Sequence, residues 1–248
     1  MRPALRLILL LALSVLVLQV YFAGRIALMN VIAPESTSFQ RSEIWRLGVE
    51  KHQVAWSQDW VNEAAIAGSL KRAVIASEDS TFVDHGGVDW DALEKAWDRN
   101  QKAEALADKK RAALSKSKAP VKPVAAKVIG GSTITQQLAK NLFLSGERHF
   151  MRKGQELAIT LMLETLLSKQ RILEIYLNNV EWGEGVFGAQ AAARHYFRVD
   201  ARQLSTLQAA RLAIMLPAPK RYEKQPGSAF LASRTASVAA RMNEVALP

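Results

Sequence analysis

The chain of 248 residues contains no cysteine. Disulfide scaffolds, thiolate metal sites and cysteine nucleophiles are therefore excluded, although extracytoplasmic proteins can also lack cysteine. There is no strand alternation of any length and no internal repeat, so a mainly α-helical protein is expected. No G-x-x-x-x-G-K-[ST] occurs, which removes the P-loop. Ser115 and Lys118 form an S-x-x-K match, but no K-T-G or S-D-N accompanies it, and a Lys-rich tract makes such matches by chance. The chain is also short of acid: 33 Lys and Arg stand against 23 Asp and Glu, for a net charge of +10 and a pI near 9.9. That imbalance favours an anionic partner, whether nucleic acid, an acidic membrane surface or a phosphate-bearing substrate.

Charge is missing altogether from residues 7–24, LILLLALSVLVLQVYFAG. At 1.5 Å per residue, this run just crosses the apolar part of a bilayer. Arg2 and Arg6 precede it and hold the N-terminus, residues 1–6, in the cytoplasm. Tyr21 and Phe22 suit the far interface. A cleaved signal peptide is the competing reading. No small-x-small site follows the run: Ala23 has Tyr21 two positions before it, and Ala27 has Arg25. A single uncleaved transmembrane anchor is expected, with the remainder outside the cytoplasmic (inner) membrane.

Residues 25–60 form a lead-in with Trp45, Trp56 and Trp60. A domain is expected over 61–220, and 221–248 is expected as a C-terminal tail. Apolar spacing predicts a helix over 61–77, through Ala64, Ile66, Leu70, Val74 and Ile75. A turn at His85-Gly86-Gly87 follows, and a helix restarts near Asp89 or Asp91. Residues 101–127 hold eight Lys or Arg and two Asp or Glu, six of the ten net charges. They are expected as a helix extension and a solvated basic loop, with contact to anionic lipid as an added role. Two helices are predicted through Leu157 to Leu177, then a glycine-punctuated turn at 181–190. Two more follow at 189–197 and 204–219, the last stopped by Pro217 and Pro219.

Two carboxylates stand out. Glu78 ends a predicted apolar helix, where desolvation raises a carboxyl's pKa toward the range of general acid–base work. An acidic pair such as Glu78-Asp79 before a turn is ordinarily just a solvated helix end. Glu156 has Arg152 and Lys153 one turn back, ordinarily a surface ion pair of small value. Lys140, Arg148, Arg152 and Lys153 gather within fourteen residues. Beside them, GGSTITQQLAKN supplies neutral groups at Ser132, Thr133, Thr135, Gln136, Gln137 and Asn141. Cations among neutral donors suit an oxyanion-rich ligand, and Gly130 and Gly131 allow close backbone approach.

EDSTFVDHGG, GGSTITQQLAKN, RKGQE, RILEIYLN and GVFGAQAAARHYF occur in that order. From about Ala64 to Pro219, the chain resembles glycosyltransferase family 51, the peptidoglycan glycosyltransferases. The resemblance implies a lysozyme-like helical domain with a large lobe and a small, membrane-proximal lobe. It implies an inverting enzyme that polymerises lipid II into β-1,4-linked glycan with release of undecaprenyl diphosphate. Lipid II, the growing lipid-linked glycan, the membrane and other cell-wall synthesis proteins are the implied partners, with no nucleic acid. Glu78 matches the base that takes the acceptor's proton, and Glu156 the donor-side glutamate. Lys140, Arg148 and Arg152 match or neighbour contacts to the diphosphate. Ser132, Thr133, Gln136, Gln137 and Asn141 match cleft-lining polar residues, and Glu174 and Asn178 a structural motif. No tightly bound cofactor is implied, only a divalent cation, Mg or Mn, at the diphosphate. The stretch near 100–127 is longer than the family pattern, and no site residue is taken from it. No penicillin-binding module follows, so a monofunctional member is expected.

Two other readings use the same residues. A lysozyme-like lytic enzyme also needs a carboxylate pair, yet a neutral glycan does not call for the cation cluster. A non-catalytic anchored scaffold makes Glu78 dispensable. A nucleic-acid binder rests on basicity alone, over half of it from one segment.

Overall fold

The computed structural model describes residues 3–115, 131–144 and 150–248. Among these lie eleven α-helices: α1 (Pro3–Leu28), α2 (Ser38–Lys51), α3 (Gly68–Glu78), α4 (Trp90–Ser115), α5 (Ile134–Phe143), α6 (Phe150–Leu166), α7 (Lys169–Asn179), α8 (Ala189–Phe197), α9 (Thr206–Met215), α10 (Pro219–Glu223) and α11 (Ala229–Arg241). Three short strands join them: β1 (Ser57–Gln58), β2 (Glu181–Gly183) and β3 (Val186–Phe187).

Most of α1 is exposed, as a helix built for lipid would be in water. At 26 residues it is about 39 Å long, enough to cross a bilayer. Its C-terminal end is not free. Phe22 and Ile26 are buried, and α1 packs on α6. Gln19 and Gln155 exchange two amide hydrogen bonds, of 2.9 and 3.0 Å. The Phe22 ring meets the edge of Phe143 at 5.2 Å.

One core runs through the rest. The α3, α9 and α11 helices pack together, and α5 lies between α6, α7 and α2. Leu70, Val74, Leu212, Leu231 and Val238 fill the first group; Ile134, Leu138, Ile159, Ile172 and Tyr176 fill the second.

The helix expected over 204–219 ends at Met215, and Pro219 opens α10 rather than stopping the helix before it. The structure differs from expectation at three further places. The helix predicted from Val61 begins at Gly68, with only a 3-10 turn at Glu63–Ala65 before it. Asn178 holds Val61 away from helical bonding: its Oδ1 accepts from Val61 N and its Nδ2 donates to Val61 O, both at 2.9 Å. Secondly, the turn at 181–190 contains β2 and β3, which form a three-stranded sheet with β1 in the order β1-β3-β2. The β1–β3 pair is parallel and the β2–β3 pair antiparallel. Strands of two or three residues, with every residue of β2 and β3 buried, leave no alternation to read. Gly185 closes that hairpin at φ +72°, with Ala55 O only 2.0 Å from where a Cβ would stand. Thirdly, the stretch 221–248 is no loose tail. Ser228 caps α11 by accepting from Leu231 N, and Leu231, Val238 and Met242 enter the core.

Candidate active site

The site is built where the end of α3 meets the start of α5. Three side chains cap the α5 N-terminus. Thr133 Oγ1 accepts from Gln136 N, and Gln136 Oε1 accepts from Thr133 N, each at 3.1 Å. This is a capping box. Asp79 Oδ2 accepts from Ile134 N at 3.0 Å, placing a carboxylate on the positive end of the helix. Thr133 Oγ1 donates to Gly87 O at 2.6 Å. Gly87 must be glycine: φ is +89°, and a Cβ would lie 2.7 Å from Thr160 Cγ2. His85 completes the joint. Its Nδ1 accepts from Gly87 N at 3.1 Å, which leaves Nε2 to donate to Asp79 Oδ1 at 2.8 Å.

This joint sets Glu78 at the mouth of a cavity of about 320 Å³, shared with Asp89, Arg99, Ser132 and Arg241. Glu78 is half-buried, and its Oε2 accepts from Gln137 Nε2 at 3.0 Å. Burial pushes its carboxyl up from the ordinary range, the Gln137 amide pulls it back, and the Asp79 charge adds to the rise. A carboxylate so raised is a better proton acceptor near neutral pH.

A second cavity, of about 440 Å³, adjoins the first through Ser132. Gln136, Gln137, Lys140 and Asn141 line it from α5; Arg152, Lys153 and Glu156 from α6; Phe39, Ser42 and Glu43 from α2. Glu156 is only 4% exposed. Arg152 Nη1 donates to its Oε2 at 3.0 Å, and Lys153 Nζ bonds Oε1. Glu156 is therefore more than one end of an ordinary surface pair: its carboxylate is buried, while Arg152 is partly and Lys153 more than half exposed. Lys140, Arg152 and Lys153 outnumber Glu43 and Glu156 in the lining, so the cavity wall carries a positive excess. That suits an anionic group.

The structure thus brings Glu78, Ser132, Gln136, Gln137, Lys140, Asn141, Arg152 and Glu156 to one divided cleft. Arg148 lies outside the described residues, as do 116–127 of the basic segment. Thr133 also lines the Glu78 cavity, but it is 3% exposed and its hydroxyl is engaged within the protein on both sides. Glu174 and Asn178 point away from the cleft and brace the chain ahead of α3: Glu174 Oε1 accepts from Glu63 N at 3.2 Å.

Sequence reasoning missed several contributors. The lead-in segment supplies a wall of the larger cavity through α2. There, buried Glu43 pairs with Arg46 at 2.9 Å and with Lys220 of α10. Arg241 of α11 and Arg99 of α4 reach the Glu78 cavity. Nothing local marks such residues, because their position depends on how distant helices dock. Asp79 and His85 were visible inside EDSTFVDHGG, but their joint bond to the α5 terminus was not.

A family model described as Transglycosylase matches residues 48–109 and 110–243. Three proteins named biosynthetic peptidoglycan transglycosylase are similar along most of their length. That of Paraburkholderia phytofirmans is 47% identical over 237 residues, 96% of this chain and 90% of the relative. That of Janthinobacterium sp. is 50% identical over 236 residues, 95% of this chain and 93% of the relative. That of Cupriavidus pinatubonensis is 54% identical over 213 residues, 86% of this chain and 76% of the relative. With the family match covering most of the chain, Glu78 and Glu156 included, this chain belongs to the transglycosylase family.

Proposed function

We propose that this transglycosylase polymerises lipid II into β-1,4-linked peptidoglycan strands at the outer face of the cytoplasmic membrane. The name shared by its relatives supports the substrate class. The observation that carries the reading is the divided cleft: a raised carboxylate in one cavity, a carboxylate held among cations in the next. Glu78 takes the proton from the GlcNAc 4-hydroxyl of the acceptor. The freed oxygen forms a bond to the anomeric carbon of the donor. The bond from that carbon to the diphosphate oxygen breaks, and undecaprenyl diphosphate leaves with the electron pair. Attack opposite the leaving group converts the α-linked donor into a β-linked product. Diphosphate needs its charge offset more than it needs a proton, and Lys140, Arg152 and Lys153 offset it.

A divalent cation, Mg or Mn, would be held chiefly by the diphosphate. Glu156 would be the carboxylate to assist, and both its oxygens already accept from Arg152 and Lys153. Among the described residues there is no group of three or more metal-ligating side chains. The positively charged N-terminus keeps residues 1–6 cytoplasmic, α1 spans the bilayer, and the cleft faces outward.

The test is polymerisation of labelled lipid II by the full-length, detergent-solubilised protein beside Glu78→Gln. Glycan strands from the wild type and at least a hundredfold fewer from the variant are expected. Equal strands from both would remove Glu78 as the base. Digestion of finished sacculi without polymerisation would instead support a lytic enzyme.

A further inference from the structure

Tyr176 lies in the middle of α7 and is fully buried. An apolar residue would fill such a place without a hydroxyl to satisfy. Its hydroxyl lies 2.9 Å from Gln137 Oε1, so the phenol is the donor of this bond. The other end of the same amide, Nε2, donates to Glu78 Oε2 at 3.0 Å. The three side chains come from three helices, α7, α5 and α3, and form a single directional chain.

An amide has an oxygen end and a nitrogen end, and only one orientation serves an ionised carboxylate. Turned over, Gln137 would set its oxygen against the Glu78 oxygen. A buried donor on the far side selects the useful orientation. We infer that Tyr176 is a positioning residue for the reaction: its hydroxyl holds the Gln137 amide so that its N–H faces Glu78. Tyr176 touches neither cavity and acts only through Gln137. Burial, with the charges of Glu78 and Asp79, pushes the phenol well above its ordinary range, so it remains a donor throughout the working pH.

The inference rests on Glu78 being the general base. Other groups also face the Glu78 carboxyl. Asp79 adjoins it and Ser77 bonds it. Asp89, Arg99 of α4 and Arg241 of α11 line its cavity. Tyr176→Phe leaves all of these in place and removes one oxygen. Without that oxygen the Gln137 amide loses its fixed orientation, and the carboxylate loses a stabilising donor. The proton is then held more tightly by Glu78.

The experiment is the pH profile of kcat/KM for lipid II polymerisation by the full-length protein, with thermal unfolding recorded alongside. For Tyr176→Phe, the acid limb should move up by about one pH unit, with activity about tenfold lower below the limb and converging on wild type above it. Introduced into Gln137→Leu, the same substitution should move the limb no further. A limb that stays in place, or a uniform loss at every pH, would overturn the inference. So would a shift that survives in the Gln137→Leu background, since Tyr176 would then act by another route. Glu78→Gln separates the two readings. If it polymerises with the wild-type profile, the base assignment fails. If it is inactive while the Tyr176→Phe limb is unmoved, only the positioning role fails.

Discussion

Glu181 shows what one buried carboxyl does to this protein. It sits on β2 with its side chain 9% exposed, and Lys220 Nζ lies 3.2 Å away without the alignment of a hydrogen bond. Burial pushes its carboxyl from 4.5 to about 7, against the pull of Lys220, while nearby Glu43 adds to the rise. In the unfolded chain the group titrates near 4.5. Between those values, the folded state keeps a proton that the unfolded state has released. Stability should therefore fall as pH rises from about 4.5 to about 7 and then level off. Glu181→Gln should remove this slope and unfold at higher denaturant than wild type above pH 7, by ~1–3 kcal/mol. Chemical denaturation across that range decides it, and parallel curves for the two proteins would refute the assignment. At this scale, legibility depended on local company. Glu156 could be singled out because Arg152 and Lys153, its neighbours in sequence, are also its neighbours in space, and Glu78 because it ends an apolar helix. Glu43 and Glu181 could not, because Lys220, 177 residues from Glu43, brings them together.

The α5 helix carries more of the site than any other element, and it is only ten residues long. So short a helix is marginal by itself, and its start must be held from outside. Thr133 does this twice, capping Gln136 N and bonding Gly87 O. Thr133→Ala should cost ~1–2 kcal/mol and lower the Tm in circular dichroism, with Thr133→Ser recovering most of the loss. An unchanged Tm would mean that Asp79 and packing suffice to start α5. Helices such as α7 and α9 were legible as elements, because their apolar residues recur at helical spacing. The start of α3 was not, because the competing bonds to Val61 come from Asn178, far along the chain. The hairpin of β2 and β3 is too short and too buried to show a period of two.

In the whole molecule, the C-terminal segment is part of the lysozyme-like helical domain of the family rather than an appendage. Leu231 and Val238 are fully buried and Met242 nearly so. Burying each contributes ~1.5–3 kcal/mol, which together rivals the ~5–15 kcal/mol stability of a typical domain. A chain ending at Gly227 should lose its cooperative unfolding transition and its polymerase activity together. Retention of either would show α11 to be dispensable. The mainly helical class, an N-terminal helix long and apolar enough to cross a membrane, and Glu78 and Glu156 as carboxylates worth singling out were readable from residues, while the docking of α2 and α11 was a property of the folded whole. The Gln19–Gln155 pair has a consequence of the same kind. Gln19 stands six residues before Arg25, about 9 Å lower along the anchor. Gln155 is one residue from Glu156. A pull on α1 would therefore reach α6 at the residue next to Glu156, so that the apolar helix and the cation-bearing wall of the cleft are tied to each other by a single pair of amides.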